Sequence, residues 1–172
     1  MKKLFSLLPL FTLAFVITAC GQNDKNTKPS PPATSEFKVG TANIKISYSA
    51  PSVKGREIWG KLVPYGEVWR TGANEATVFE TDADIKVEGQ TLPKGTYSLF
   101  TIPGKDEWVI IFNKNAKQWG SFSYKTAEDA LRVTVRPGLA STFNEVLKIV
   151  GNVDGSVSIA WEKLEVIFNI SQ

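Results

Sequence analysis

From Phe37 onward polar and apolar residues alternate with a period of two. That period commits the chain to β-structure, because successive side chains of a strand point to opposite faces. Asn43-Ile44-Lys45-Ile46-Ser47-Tyr48, Asp84-Ile85-Lys86-Val87-Glu88 and Leu131-Arg132-Val133-Thr134-Val135-Arg136 each offer one face to a core and one to water. Tyr97 to Ile102 follows the same pattern less strictly. Trp108-Val109-Ile110-Ile111-Phe112 is continuously apolar, which predicts a strand covered on both faces. Asp154-Gly155 is a two-residue hairpin signal ahead of Ser156 to Trp161, and Leu164 to Ile170 is a closing apolar run. Gly89, Pro93-Lys94-Gly95, Pro103-Gly104 and Pro137-Gly138 punctuate these runs. Only Lys125 to Ala130 and Ser141 to Leu147 suit a helical turn. Eight or nine short strands predict an all-β fold, an antiparallel β-sandwich of jelly-roll or Ig-like topology.

The first residues read as an address. Met1-Lys2-Lys3 is basic, and Leu4 to Ile17 is an apolar run too short to span a bilayer comfortably. It ends in Ile17-Thr18-Ala19-Cys20-Gly21, which resembles the lipobox of bacterial lipoproteins and makes Cys20 the expected lipidated N-terminus. Residues 1–19 are then a signal peptide. Residues 20–36, rich in Pro, Ser, Thr and Asn, form the expected flexible tether, and 37–172 the domain. The absence of Asp at position 21 favours the outer membrane of a bacterial envelope. Cleavage removes Lys2 and Lys3, lowering Lys+Arg from 20 to 18 against 17 Asp+Glu, a formal charge of +1. A near-neutral domain without a basic cluster predicts no nucleic-acid partner.

The composition removes whole classes of chemistry. With no His, Ser-His and Cys-His catalysis and His-ligated metals are excluded. A single Cys excludes an intramolecular disulfide. No cofactor or metal is expected. Glu80, Asp82 and Asp84 alternate in a manner that could begin a calcium site, but a solvated acidic turn over Thr81 to Ala83 is the expectation.

Tyr48 to Arg56, Val63 to Thr77 with its core Trp69-Arg70-Thr71-Gly72-Ala73-Asn74-Glu75-Ala76-Thr77, and Leu92 to Pro103 closely resemble domain-of-unknown-function family 2911. Its members are secreted and lipid-anchored proteins of Gram-negative bacteria. The resemblance implies a lipid-anchored envelope protein and brings no established activity. The chain departs at Ala50, where the family's Tyr-Ser-Arg-Pro version carries Arg; any contact made by that Arg is missing here.

The candidate site is the loop from Pro64 to Thr77. Tyr65, Trp69, Arg70, Asn74 and Glu75 concentrate recognition groups there, with Arg56 nearby. Arg70 offers a planar fork to a carboxylate or phosphate, Asn74 a donor and an acceptor, and Glu75 an acceptor or base. The competing structural role pairs Arg70 with Glu75 or Glu67 and buries Trp69 as a plug. Trp108 and Trp161 are assigned to packing; Trp59, Trp69 and Trp119 can take either role. The leading functional expectation is binding of a small or glycan-like ligand, or of an envelope partner protein. The rivals are a His-independent hydrolase using carboxylates such as Glu75 and Glu57, and a purely structural envelope module.

Overall fold

The structure, a computed structural model, describes residues 29–172. The expected signal peptide, Cys20 and the first part of the expected tether lie outside those residues. Ten strands build two antiparallel sheets. They are β1 (Pro32–Val39), β2 (Ala42–Ser49), β3 (Thr77–Thr81), β4 (Ile85–Val87), β5 (Gln90–Leu92), β6 (Gly95–Ile102), β7 (Trp108–Asn113), β8 (Asp129–Val135), β9 (Pro137–Gly151) and β10 (Ser156–Ser171). One sheet has the order β1-β2-β3-β6-β7-β8 and the other β5-β4-β10-β9. The all-β sandwich is therefore present, with one or two strands more than the alternation predicts.

Each sheet buries one face against the other. Ile44, Ile46, Phe79, Leu99, Ile110 and Phe112 from the larger sheet meet Ile149, Val157, Val166 and Phe168 from the smaller one. Phe112 anchors the middle, its ring edge-on to Phe79 at 5.0 Å and to Phe168 at 6.1 Å. Along β7 the side chains divide as the apolar run predicts. Trp108, Ile110 and Phe112 join the main core, while Ile111 faces the opposite side with Phe100 and Ala76. Val68, Val109 and Tyr124 cover that second, smaller core, so the outer face of β6 and β7 is also dry.

Three expectations need correction. The tether does not extend to residue 36. β1 starts at Pro32 and pairs with β2 from Pro32–Ser49 to Val39–Ala42. Its polar, proline-containing sequence hides a strand because it lies at a sheet edge, where proline's missing donor is harmless and one face stays wet. Ser141 to Leu147 is not helical. It belongs to β9, and register shifts opposite Glu162 explain the misleading spacing of buried Asn144 and Leu147. The Asp154-Gly155 hairpin has a three-residue loop, since Asn152 N–H donates to Ser156 O at 2.9 Å. The other helical expectation holds as a single 3-10 turn, Thr126–Glu128.

β10 has an unusual path. Its 16 residues would span about 50 Å if straight at ~3.3 Å per residue. Yet Ile170 N–H donates to Gly155 O at 2.8 Å, so the strand doubles back at Glu162, where φ is +58. This places Val157, Ile159 and Trp161 beside Val166, Phe168 and Ile170 in one core. A Cβ on Gly155 would sit 2.0 Å from Ile170 O, and its φ of +90 independently calls for glycine.

Because β1 is part of the sheet, a chain beginning at Phe37 should be less stable than one beginning at Pro29. The shorter chain loses half of the β1–β2 ladder and the bond from Gly151 N–H to Ser35 Oγ, 3.0 Å. Urea unfolding of the two should differ by more than about 1 kcal/mol, beyond the roughly 0.5 kcal/mol typical of surface changes.

Candidate functional site

Residues 50–76 connect β2 to β3 across one end of the sandwich. The segment first crosses to the other sheet: Ser52 bridges to Val146, and Leu147 N–H donates to Pro51 O at 2.9 Å. A turn through Lys54 and Gly55, both at positive φ, then presents Arg56. Arg56 Nε donates to Val53 O at 3.1 Å and its Nη2 to Ser52 O, which orients an otherwise exposed guanidinium.

Trp69 fixes the second half of the loop. Its backbone exchanges hydrogen bonds with Thr101, 2.7 and 2.9 Å, extending the edge of the sheet. Its indole enters the end of the core. There it stacks on Trp161 at 5.9 Å and 13° and meets Trp59 and Trp108 edge-on. Its Nε1 donates to Gly72 O at 3.1 Å. Trp69 and Trp59 thus belong to packing, as Trp108 and Trp161 do, while Trp119 stands 60% exposed. Beyond Trp69 the backbone is strained: Thr71 has φ +54 and Asn74 φ +59. Buried Thr71 is held by Thr77 Oγ1, which donates to its carbonyl at 2.8 Å.

Arg70 sits between these anchors. Its side chain is half-buried, its Nε is enclosed without any hydrogen-bond acceptor, and no ion pair reaches it among the described residues. Desolvation pulls its pKa below the ordinary arginine value. The Arg70–Glu75 and Arg70–Glu67 pins are not formed. Arg70 lines a cavity of about 180 Å³ together with Arg56, Trp69, Trp161, Leu62 and Ser30. Its complete lining contains two arginines and no carboxylate. Trp161, 1% exposed, adds an indole Nε1 that has no partner either.

The other expected residues are distributed around this pocket. Asn74 Nδ2 donates to Ser30 O at 3.3 Å, tying the start of the described chain to the loop. Tyr65 packs near Gly60, away from Arg70. Glu75 is exposed; its backbone bridges to Trp119, and it lines a separate cleft of about 270 Å³ with Trp119, Gln118 and Lys117. Glu57 is exposed and lines neither hollow. The structure therefore joins Arg56, Trp69 and Arg70, and separates Tyr65, Glu57 and Glu75 from them. Trp161 completes the pocket from nearly a hundred residues away, and only its apolar strand context was visible in the sequence.

A larger groove of about 860 Å³ lies at the opposite end, lined by Glu36, Lys38, Asn43, Lys45, Glu80 and Asp82 among others. Size does not make it the better site, because its polar groups satisfy one another. Lys45 pairs with Glu36 at 3.1 Å, and Asp82 accepts from the Asn43 backbone and side chain at 2.7 and 2.6 Å. Those bonds hold the Asp82 carboxyl below its usual range. Glu80, Asp82 and Asp84 flank the turn between β3 and β4, and no cluster of three or more metal-type ligands occurs among the described residues.

The geometry defines an antiparallel β-sandwich with an acceptor-seeking pocket at one end. The chain belongs to the DUF2911 family, proteins of unknown function, whose family profile matches residues 30–170. No curated protein and no solved structure matches it.

An arginine held without a partner costs the fold its desolvation and returns no ion pair. Arg70→Met should therefore leave the urea midpoint unchanged or raise it, by up to about 1 kcal/mol. A pinning arginine would instead cost about 3–5 kcal/mol on removal.

Proposed function

We propose that this chain is a bacterial envelope lipoprotein, anchored through Cys20 with the outer membrane favoured, whose sandwich binds a small anionic ligand between Arg56 and Arg70. The ligand's reactive handle is a carboxylate or phosphate, carried by a small molecule or by an acidic sugar of a glycan. The single observation that supports this reading is Arg70: half-buried, unpaired, and set in a pocket without a carboxylate. A guanidinium in partial desolvation attracts an anion more strongly than one in water, and its fork matches two oxygens at once. The cavity of about 180 Å³ suits a small anion or the end group of a longer ligand, since drug-sized ligands occupy roughly 300–1,000 Å³. The hydrolase reading finds no comparable support, because Glu57 and Glu75 are exposed and lie outside this pocket.

Thermal unfolding in the presence of acetate, inorganic phosphate or glucuronate tests the binding. A ligand of the native state at 100 times its Kd adds about 2.7 kcal/mol by mass action. At least one anion should raise the midpoint of the native chain, and Arg70→Ala should abolish that rise. Equal shifts in both proteins, or none in either, would overturn the pocket.

The anchor is tested separately. Cys20→Ser should lose incorporation of a labelled fatty acid and accumulate as uncleaved precursor, because the thiol is the only acceptor the lipobox-like segment offers. Undiminished labelling of the variant would refute lipidation at Cys20.

A further inference from the structure

The end of the sandwich that holds Arg70 also holds the most exposed aromatic pair of the described residues. Trp119 is 60% and Phe122 85% exposed, although their segment is firmly attached. Ala76 N–H donates to Gln118 O at 3.0 Å, and Gly120 N–H donates to Asn74 O at 3.1 Å. Phe122 lies over Gly120, close to Arg70: a Cβ on Gly120 would lie 3.0 Å from the Phe122 ring and 3.5 Å from Arg70 Nη1. Rings that stay in water on a well-bonded segment leave apolar surface uncovered, which marks an interaction face.

The start of the fold lies at the same place. Ser30 lines the Arg70 pocket, accepts from Asn74, and precedes Pro31, whose carbonyl accepts from Ala50 N–H at 2.8 Å. From Cys20 to Ser30 is ten residues, which reach at most about 35 Å when fully extended. A lipid on Cys20 therefore keeps this end, rather than the far groove, next to the bilayer. We infer that the Trp119–Phe122–Arg70 end of the sandwich rests on the lipid surface, the two rings at headgroup level and Arg70 on lipid phosphate.

The chemistry matches on both counts. Tryptophan collects at membrane interfaces because its ring is apolar while its N–H remains hydrated. Arg70, Arg56 and Lys117 around the rings offer cations to anionic headgroups, with Glu75 as the opposing charge in the Trp119 cleft. Two rings would not hold a soluble protein on a membrane alone. A lipid chain supplies the tethering, and the rings fix the orientation. The inference rests on the Cys20 anchor and specifies the source of the anion proposed for the pocket.

The test uses the full lipidated chain in phosphatidylethanolamine–phosphatidylglycerol vesicles, with and without bromine on the upper acyl carbons. Trp69, Trp108 and Trp161 are at most 8% exposed, so Trp119 dominates any quenching by the lipid. Bromolipid should quench part of the native emission. Trp119→Phe should lose most of that quenching, and Arg70→Ala should reduce it with Trp119 intact. An unquenched native chain, or equal quenching in Trp119→Phe, overturns the inference; a face reserved for a protein partner gives the first of these results. If fatty-acid labelling of Cys20 is absent, the anchor itself fails. Labelling with no quenching rejects only the orientation. Inorganic phosphate should raise the midpoint of Arg70-containing chains without vesicles, yet quench nothing.

Discussion

Trp69 governs the functional end of this molecule. The connection between β2 and β3 is long, and ordering it costs roughly 1–2 kcal/mol per residue in backbone entropy. Burying a tryptophan removes on the order of 200 Å² from water, about 5 kcal/mol at 25 cal/mol per Å². Its paired bonds to Thr101 and the indole bond to Gly72 add direction to that burial. This exceeds the few kcal/mol expected from left-handed Thr71 and Asn74, so the strained turn persists. The cluster carries its own cost, since Trp59, Trp108 and Trp161 keep buried indole N–H groups without acceptors. Edge-on packing at 5.1 to 5.9 Å between Trp59 and its neighbours turns ring edges toward ring faces, which offsets part of it.

Arg132 shows what an arginine of the scaffold looks like in the same fold. It donates to Asp129 at 2.6 Å and to the Tyr124 hydroxyl, and these bonds raise its pKa. Asp129 also accepts from Asn113 and Tyr124, so one carboxylate closes the segment after β7 onto β8. Arg70 shifts the opposite way, by desolvation with nothing to compensate it. The contrast separates an arginine that stabilises its surroundings from one the fold holds at a cost. Groups of the second kind collect where a protein binds something.

Much of this was legible in the sequence. β2, β6, β7 and β8 follow directly from alternation or a dense apolar run, because their side chains really do divide between a core and a second surface. β1 escaped because an edge strand needs only its hydrogen bonds, and Pro32 to Glu36 offers few buried side chains to betray it. β9 escaped because a bulge shifts its buried positions away from period two. The loop from Pro64 to Thr77 stood out by its density of polar groups, and Arg70 with Arg56 does line one pocket. Glu75 and Tyr65 were drawn in by proximity along the chain alone. Whether Arg70 had a carboxylate within reach was a question of direction, which no spacing encodes.

The position of the pocket follows from connectivity. β1 and β2 form a hairpin through Gly40 and Thr41, so the first residues of β1 must lie beside the last residues of β2. The loop that carries Arg56 and Arg70 begins where β2 ends, at Ser49 and Ala50. An antiparallel first pair therefore forces the entry of the chain and this loop to the same end of the sandwich. A register slip in that hairpin would turn Ile44 and Ile46 out of the core, so the arrangement is protected by the same burial that builds the fold. The groove among Asn43, Asp82 and Lys94 is placed at the far end by the same logic. Its charges pair with one another there, whereas the entry end keeps an arginine without a partner beside two exposed rings.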